Sequence, residues 1–163
     1  MEDRGRRLNR RLAKWRIKSM ANKLYVAYGS NLNLAQMARR CPKAKVVGCG
    51  VLKDYQLTFR RVATIEPVKG AETPVGVWEI TPTDERNLDI YEGYPSYYRK
   101  ETVKVNLHDR TVEAMVYIMN GGEPQLPPDG YYKVIEQGYG DVGLDTKYLL
   151  GALDDTQKRM RAK

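Results

Sequence analysis

The chain has 163 residues, 42% of them hydrophobic, and a formal net charge of +8 at pH 7 from 28 basic and 20 acidic side chains. That length suits one domain with short extensions, no apolar run approaches the ~20 residues of a membrane span, and no secretory apolar segment follows the basic start. The single histidine, His108, argues against a Ser-His-Asp triad or a His-rich metal site, and Cys41 and Cys49, without C-x-x-C spacing, read as reduced thiols of a cytoplasmic protein.

Residues 1–22 form a basic N-terminal extension. Residues 1–19 hold eight basic and two acidic side chains, so +6 of the net +8 sits there and the rest of the chain is nearly balanced. A balanced domain argues against nucleic-acid binding outside that leader. Leu8, Leu12 and Trp15 fall at i, i+4 and i+7, one stripe of a short basic helix. Such a helix suits RNA, an anionic membrane surface or docking on its own domain. Another reading starts the protein at Met20-Ala21-Asn22-Lys23. Trp15 is encoded TGG and Arg16 is readable as AGG, which together resemble a ribosome-binding site. The sequence leaves these readings open.

From Lys23 onward the pattern is mixed. Leu24–Tyr28 reads as a buried strand, and Leu34–Arg40 as a short helix with Asn33 as its N-cap. Lys45–Leu52 and Tyr55–Arg60 are strand-like, parted by Lys53-Asp54. Val62–Ile65 and Val75–Ile80 follow, parted by a Pro/Gly loop. Thr81-Pro82-Thr83-Asp84 opens a helix with a hydroxyl cap, a proline and an acid, and Gly93 ends it. Arg99–Leu107 and Thr111–Met119 form a hairpin with His108 at its tip. Gly121–Gly130 is a loop with three prolines. Tyr131–Gly138 and Asp145–Asp154 look helical, and residues 156–163 read as a basic C-terminal tail. Strands outnumber helices without βαβ alternation. The expected class over residues 23–155 is therefore α+β, a mostly antiparallel sheet curled into a small barrel with flanking helices.

Two stretches carry candidate chemistry. In Tyr28-Gly29-Ser30-Asn31 a strand runs into a helical start through a glycine, which lets backbone approach a ligand. The first N–H groups of the turn are unpaired and partly positive, which suits a carboxylate or an oxyanion. The loop lacks the Walker spacing. In the second stretch, Leu88, Tyr91 and Glu92 share one helix face. If Leu88 and Tyr91 are core residues, Glu92 points inward. It also ends its helix, where the dipole disfavours a carboxylate. Burial adds to that, so its pKa is expected to rise toward neutrality, as a proton carrier requires. The competing reading is an ion pair with Arg99 or Lys100. Other acids fit less well: Glu66 reads as a turn residue, Glu85 and Asp89 lie on the exposed side of the helix, and Glu79 sits in a mixed strand. The tyrosines at 91, 94, 97 and 98 are candidates to line a cleft.

Tyr28-Gly29-Ser30-Asn31-Leu32, followed by Glu92-Gly93 at the end of the next long helix, resembles the gamma-glutamylcyclotransferase-like family. Val62–Ile65 and Tyr132-Lys133 are similar to further segments of it, and the resemblance spans about residues 23–150. It implies a small barrel with flanking helices, no metal and no cofactor. It also implies release of 5-oxoproline from a gamma-glutamyl amine or amino acid. The resemblance assigns binding of the glutamyl moiety to Tyr28, Gly29, Ser30, Asn31 and Leu32, acid/base work to Glu92, and a substrate-side place to Tyr132. Tyr97, Tyr98 and Arg99 depart from the better-known animal members.

The chemistry suits these parts. A gamma-glutamyl group carries its own nucleophile, the alpha-amine, whose attack on the gamma-carbonyl closes a five-membered lactam. Holding the reactive rotamer exploits intramolecular attack, and one carboxyl can serve as base and then acid. Two rivals stand beside this reading: a non-catalytic binding module for a small carboxylated metabolite, and an RNA-associated protein acting through its leader. The expected partner is a small molecule rather than a membrane.

Overall fold

The computed structural model describes residues 22–162; the leader readings therefore lie outside the described residues. β1 (Lys23–Ala27), β2 (Lys45–Arg60), β3 (Val62–Ile80), β4 (Tyr98–Leu107) and β5 (Thr111–Met119) close into a barrel in the order β1-β3-β2-β4-β5. Neighbours are antiparallel except at the closure, where β1 meets β5 in parallel at Tyr25 and Met115. Val26, Phe59, Ile65, Val77, Val105 and Val116 belong to the hydrophobic core and are almost fully buried. The α+β class and the barrel agree with the reading of the sequence.

β2 and β3 form one long hairpin, paired from Lys45–Glu79 down to Arg60–Val62. The sequence divides each of them in two, and the reason is a paired irregularity. Asp54 and Gly70 both have left-handed backbone, with φ of 65° and 86°. The Gly70 N–H donates to Asp54 Oδ1 at 2.9 Å. Lys53-Asp54 and the Pro/Gly stretch thus kink a continuous ribbon rather than end it.

Among the described residues, four helices pack around the barrel. α1 (Leu34–Arg40) is capped by Asn33, whose side chain accepts from the Gln36 N–H at 3.1 Å. α2 (Pro82–Glu92) begins in a full capping box, with Asp84 N–H donating to Thr81 Oγ1 and Thr81 N–H to Asp84 Oδ2. It stops at Gly93, at φ 66°. α3 runs Asp129–Val142, past the expected end at Gly138.

α4 (Lys147–Arg161) continues through the segment read as a tail. Thr156 is buried, donating to the Ala152 carbonyl at 2.7 Å and accepting from the Phe59 N–H at 3.2 Å. Arg159 forms an ion pair with Glu66. The basic residues here are the outer face of a docked helix. No helix among the described residues is long and apolar enough to cross a membrane.

Candidate active site

The barrel strand β1 delivers the first wall of the site. After Ala27 the chain passes through Tyr28 and Gly29 into a single 3-10 turn, Ser30–Leu32. Leu32 and Asn33 donate their N–H groups to the Gly29 and Ser30 carbonyls at 3.0 and 3.1 Å. The leading amides of the turn have no partner within it. Gly29 lies flat against β3: a Cβ there would stand 3.2 Å from Ala63 Cβ. The turn is seated from behind by α3, which passes so close at Gly138 that a Cβ would fall 2.6 Å from Asn33 N.

The second wall is the end of α2 and the start of β4. Tyr28, Gly29, Ser30 and Asn31 line a cavity of about 220 Å³ together with Glu92. Its remaining walls are largely aromatic: Tyr25 from β1, Tyr91, Tyr97, Tyr98, Tyr117 from β5 and Tyr131 from α3. Most of the tyrosine hydroxyls here are tied down. Tyr28 donates to the Tyr117 carbonyl at 2.6 Å, and Tyr98 to the Ala63 carbonyl at 2.8 Å. Tyr131 accepts from the Ala63 N–H at 3.0 Å. Ser30 Oγ and Tyr91 Oη are 2.9 Å apart and hydrogen-bonded. The rings of Tyr91 and Tyr97, 42% and 52% exposed, stand at the mouth.

Among the described residues, Glu92 is the only carboxylate in this lining. It is half-buried and makes no hydrogen bond or ion pair with any described residue. The expected rivals for it are engaged elsewhere. Lys100 binds Glu85 and Asp89, each at 2.8 Å, and Arg99 lies beside Glu101. Burial pushes the Glu92 pKa up from 4.5 to about 7, opposed by the positive charge of Arg40.

The profile of the family described as "Gamma-glutamyl cyclotransferase, AIG2-like" matches residues 25–138. The chain belongs to that family. "Gamma-glutamylcyclotransferase" of Homo sapiens is 30% identical over 139 residues, covering 77% of this chain and 74% of the relative. A solved "Gamma-glutamyl cyclotransferase" superposes with a TM-score of 0.73 at 28% identity, over 80% of this chain and 86% of that one. YkqA from Bacillus subtilis shares the fold, with a TM-score of 0.69 at 24% identity, over 89% of this chain and 55% of that one.

Within this cyclotransferase fold, the residues singled out from the sequence do not all meet. Tyr28, Gly29, Ser30, Asn31 and Glu92 converge on the cavity. Leu32 is fully buried behind the turn and packs rather than lines. Tyr132 lies outside the cavity, its ring 6.3 Å from that of Phe59, and the preceding Tyr131 lines it instead. Tyr91 is a rim residue, not core. Tyr94 lies outside the lining, under the Lys100 ammonium. Glu85 and Asp89, expected on a solvated face, form the ion-pair cluster with Lys100, and Asp89 also accepts from the Tyr117 hydroxyl at 2.6 Å. Glu66 pairs with Arg60 and Arg159 within β3 rather than closing a turn. Tyr25 and Arg40 went unmarked. Tyr25 has a local signal, lying three residues before Tyr28 on the apolar strand that leads into the Tyr-Gly-Ser-Asn run.

Proposed function

We propose that the chain releases 5-oxoproline from a gamma-glutamyl amine or amino acid, with Glu92 as the general acid/base. The observation that carries this reading is the Glu92 carboxyl, unpaired among the described residues and facing the Gly29–Asn31 turn across one small cavity. The relatives named gamma-glutamylcyclotransferase support the reaction class.

The reaction balances without water. The substrate alpha-amine attacks its own gamma-carbonyl carbon, and Glu92 takes the proton that nitrogen loses. The carbonyl oxygen becomes an oxyanion at the N–H groups of the turn. The tetrahedral carbon then expels the leaving nitrogen, which receives the proton from Glu92. A C–N bond forms and another breaks, giving 5-oxoproline and a free amine. No step calls for a metal or a cofactor.

The side chains fit these roles. The turn and Tyr28 hold the glutamyl moiety in the folded rotamer from which attack is intramolecular. Oxyanion donors of this kind are worth roughly 3 kcal/mol, and a positioned acid/base typically contributes ~10²–10⁴ in rate. A group with a pKa of about 7 suits both halves of the proton transfer near neutrality. Ser30, bonded to Tyr91, is a binding hydroxyl with no base beside it. Tyr131, not Tyr132, takes the substrate-side place. The leaving group exits between the rings of Tyr91 and Tyr97.

Incubation with a panel of gamma-glutamyl amines and gamma-glutamyl amino acids, read by mass spectrometry, tests the proposal. The expected product is 5-oxoproline in equal amount to the freed amine. Saturable binding of these compounds without turnover would make the protein a binding module instead.

A further inference from the structure

Arg40 enters the sequence reading only as the end of a helix, yet it touches both walls of the cavity. It ends α1, where the helix dipole favours a cation. Its Nη1 donates to Asn31 Oδ1 at 2.6 Å, and its Nη2 donates to Gln36 Oε1. The flat guanidinium lies over the Tyr91 ring, 3.6 Å from the ring centroid. Its main-chain carbonyl accepts from Asn87 Nδ2 of α2 at 3.0 Å. One residue therefore joins the turn carrying Gly29 and Ser30 to the helix end carrying Glu92. The contact extends inward, because Asn31 Nδ2 donates to the Tyr25 hydroxyl at 2.9 Å.

The charges around Glu92 give this residue a second part. Glu92 shares the cavity with Tyr25 from β1, Tyr28 just after that strand, Tyr91 from its own helix, Tyr97, Tyr98 from β4, Tyr117 from β5 and Tyr131 from α3. Burial holds the hydroxyls of Tyr25, Tyr28, Tyr98, Tyr117 and Tyr131 protonated well above neutral pH. None of those five is a charged neighbour at working pH. Among the described residues, the cation whose field reaches the carboxyl is Arg40.

From this geometry we propose that Arg40 is a positioning residue of the site: it clamps the Gly29–Asn31 turn against α2, and its charge favours the carboxylate form of Glu92 that can accept a proton. The proposal rests on Glu92 as the proton carrier. A guanidinium suits both tasks, since it offers a fixed fork of donors, stacks on a ring face and stays charged. A lysine supplies only the charge.

Two variants of the full chain separate these tasks. Arg40→Gln removes the charge and keeps a planar amide. Arg40→Lys keeps the charge and gives up the fork. The readouts are kcat/KM for a gamma-glutamyl amide from pH 5 to 9, and the titration of the Glu92 carboxyl carbon by NMR. In Arg40→Gln the acid limb and the NMR titration both move up by about one pH unit, the low end of what an opposite charge nearby does. Its rate then falls more at pH 6 than at pH 8. In Arg40→Lys the limb stays in place and the rate drops across the whole profile. An unmoved Glu92 titration in Arg40→Gln overturns the proposal, as does a limb in Arg40→Lys displaced upward. Should Arg40→Gln not fold, the limb of Arg40→Lys alone decides. An acid limb in the unmodified protein that does not coincide with the Glu92 titration defeats the Glu92 assignment instead, while the effect of Arg40 on the carboxyl still reads out by NMR.

Discussion

At the scale of single residues, the site places one carboxyl where a folded protein least favours its charge. Glu92 combines a helix C-terminus with a wall of tyrosine rings, and its pKa rises from 4.5 to about 7 because burial outweighs the attraction of Arg40. Between those two pH values the folded state keeps a proton that the unfolded state has lost. Stability from this group is therefore fully present below about pH 4.5 and falls as the pH rises through about 7. Glu92→Gln should gain thermal stability relative to the unmodified protein at pH 8, and the gain should close at pH 4. Calorimetry at both pH values checks this, and a difference independent of pH would contradict it. The same variant should lose turnover by about 10² or more with substrate affinity changed far less. On the opposite wall, Gly29→Val should cut substrate binding, because even a Cβ there stands 3.2 Å from Ala63 Cβ. Ser30→Ala should cost less, since it removes one hydrogen bond to Tyr91. Turnover assays on both variants order them. Abolished turnover in Ser30→Ala, with a covalent adduct on Ser30 in the unmodified protein, would replace cyclisation with an acyl-enzyme.

At the scale of elements, the Gly29–Asn31 turn depends on a helix that arrives about 100 residues later in the chain. Gly138 lets α3 lie against Leu32 and Asn33, with main-chain atoms 2.6–2.7 Å from where a Cβ would sit. Asn33 Nδ2 completes the contact by donating to the Val134 carbonyl at 3.1 Å. Neither partner is a flexible side-chain tip, so Gly138→Ala has to push the helix off the turn. The expected cost is about 1–3 kcal/mol, as for an overpacked core. Turnover should fall with it, because Tyr131 on α3 and Ser30 on the turn move apart. Urea unfolding together with the rate measures both effects, and an unchanged rate would show that the turn holds its shape alone. This docking explains what was and was not legible. Caps are written in neighbouring residues, so Asn33, Thr81 and Gly93 announce their helix ends correctly. Tyr131 and Tyr132 differ by about 100° around a helix, and which ring meets the cavity is decided by where Gly138 seats α3. That is a long-range fact absent from local spacing. Arg40 was missed for the same reason: a basic residue at a helix end is unremarkable until Asn31 and Tyr91 are seen beside it.

At the scale of the whole molecule, the barrel was legible because strands outnumber helices and the helices interrupt them without a repeating βαβ order. Its ends were less so, since charge alone does not tell a tail from the wet side of a helix. Two truncations should therefore behave oppositely. Deleting residues 1–19 should leave melting temperature and turnover near those of the full chain, because that segment holds its own charge and the described domain is nearly balanced without it. A large loss of either would show the leader docked on the domain. Deleting residues 156–163 should do harm despite their similar basic look. Thr156 is fully buried, and its hydroxyl satisfies the Phe59 N–H on β2. Arg159 holds Glu66 on β3. Removing them strips the last turn and a half of α4 from the hairpin and leaves a buried donor unpaired, which costs about 1–3 kcal/mol. For a domain of this size that lowers the melting temperature by about 3–10 °C. Thr156→Val isolates the hydroxyl, since it keeps the side-chain volume and the helix. Most of the loss should appear in that single variant. If Thr156→Val melts with the unmodified protein while the truncation does not, the ion pair and the packing of α4 hold the hairpin, and the Phe59 bond is incidental.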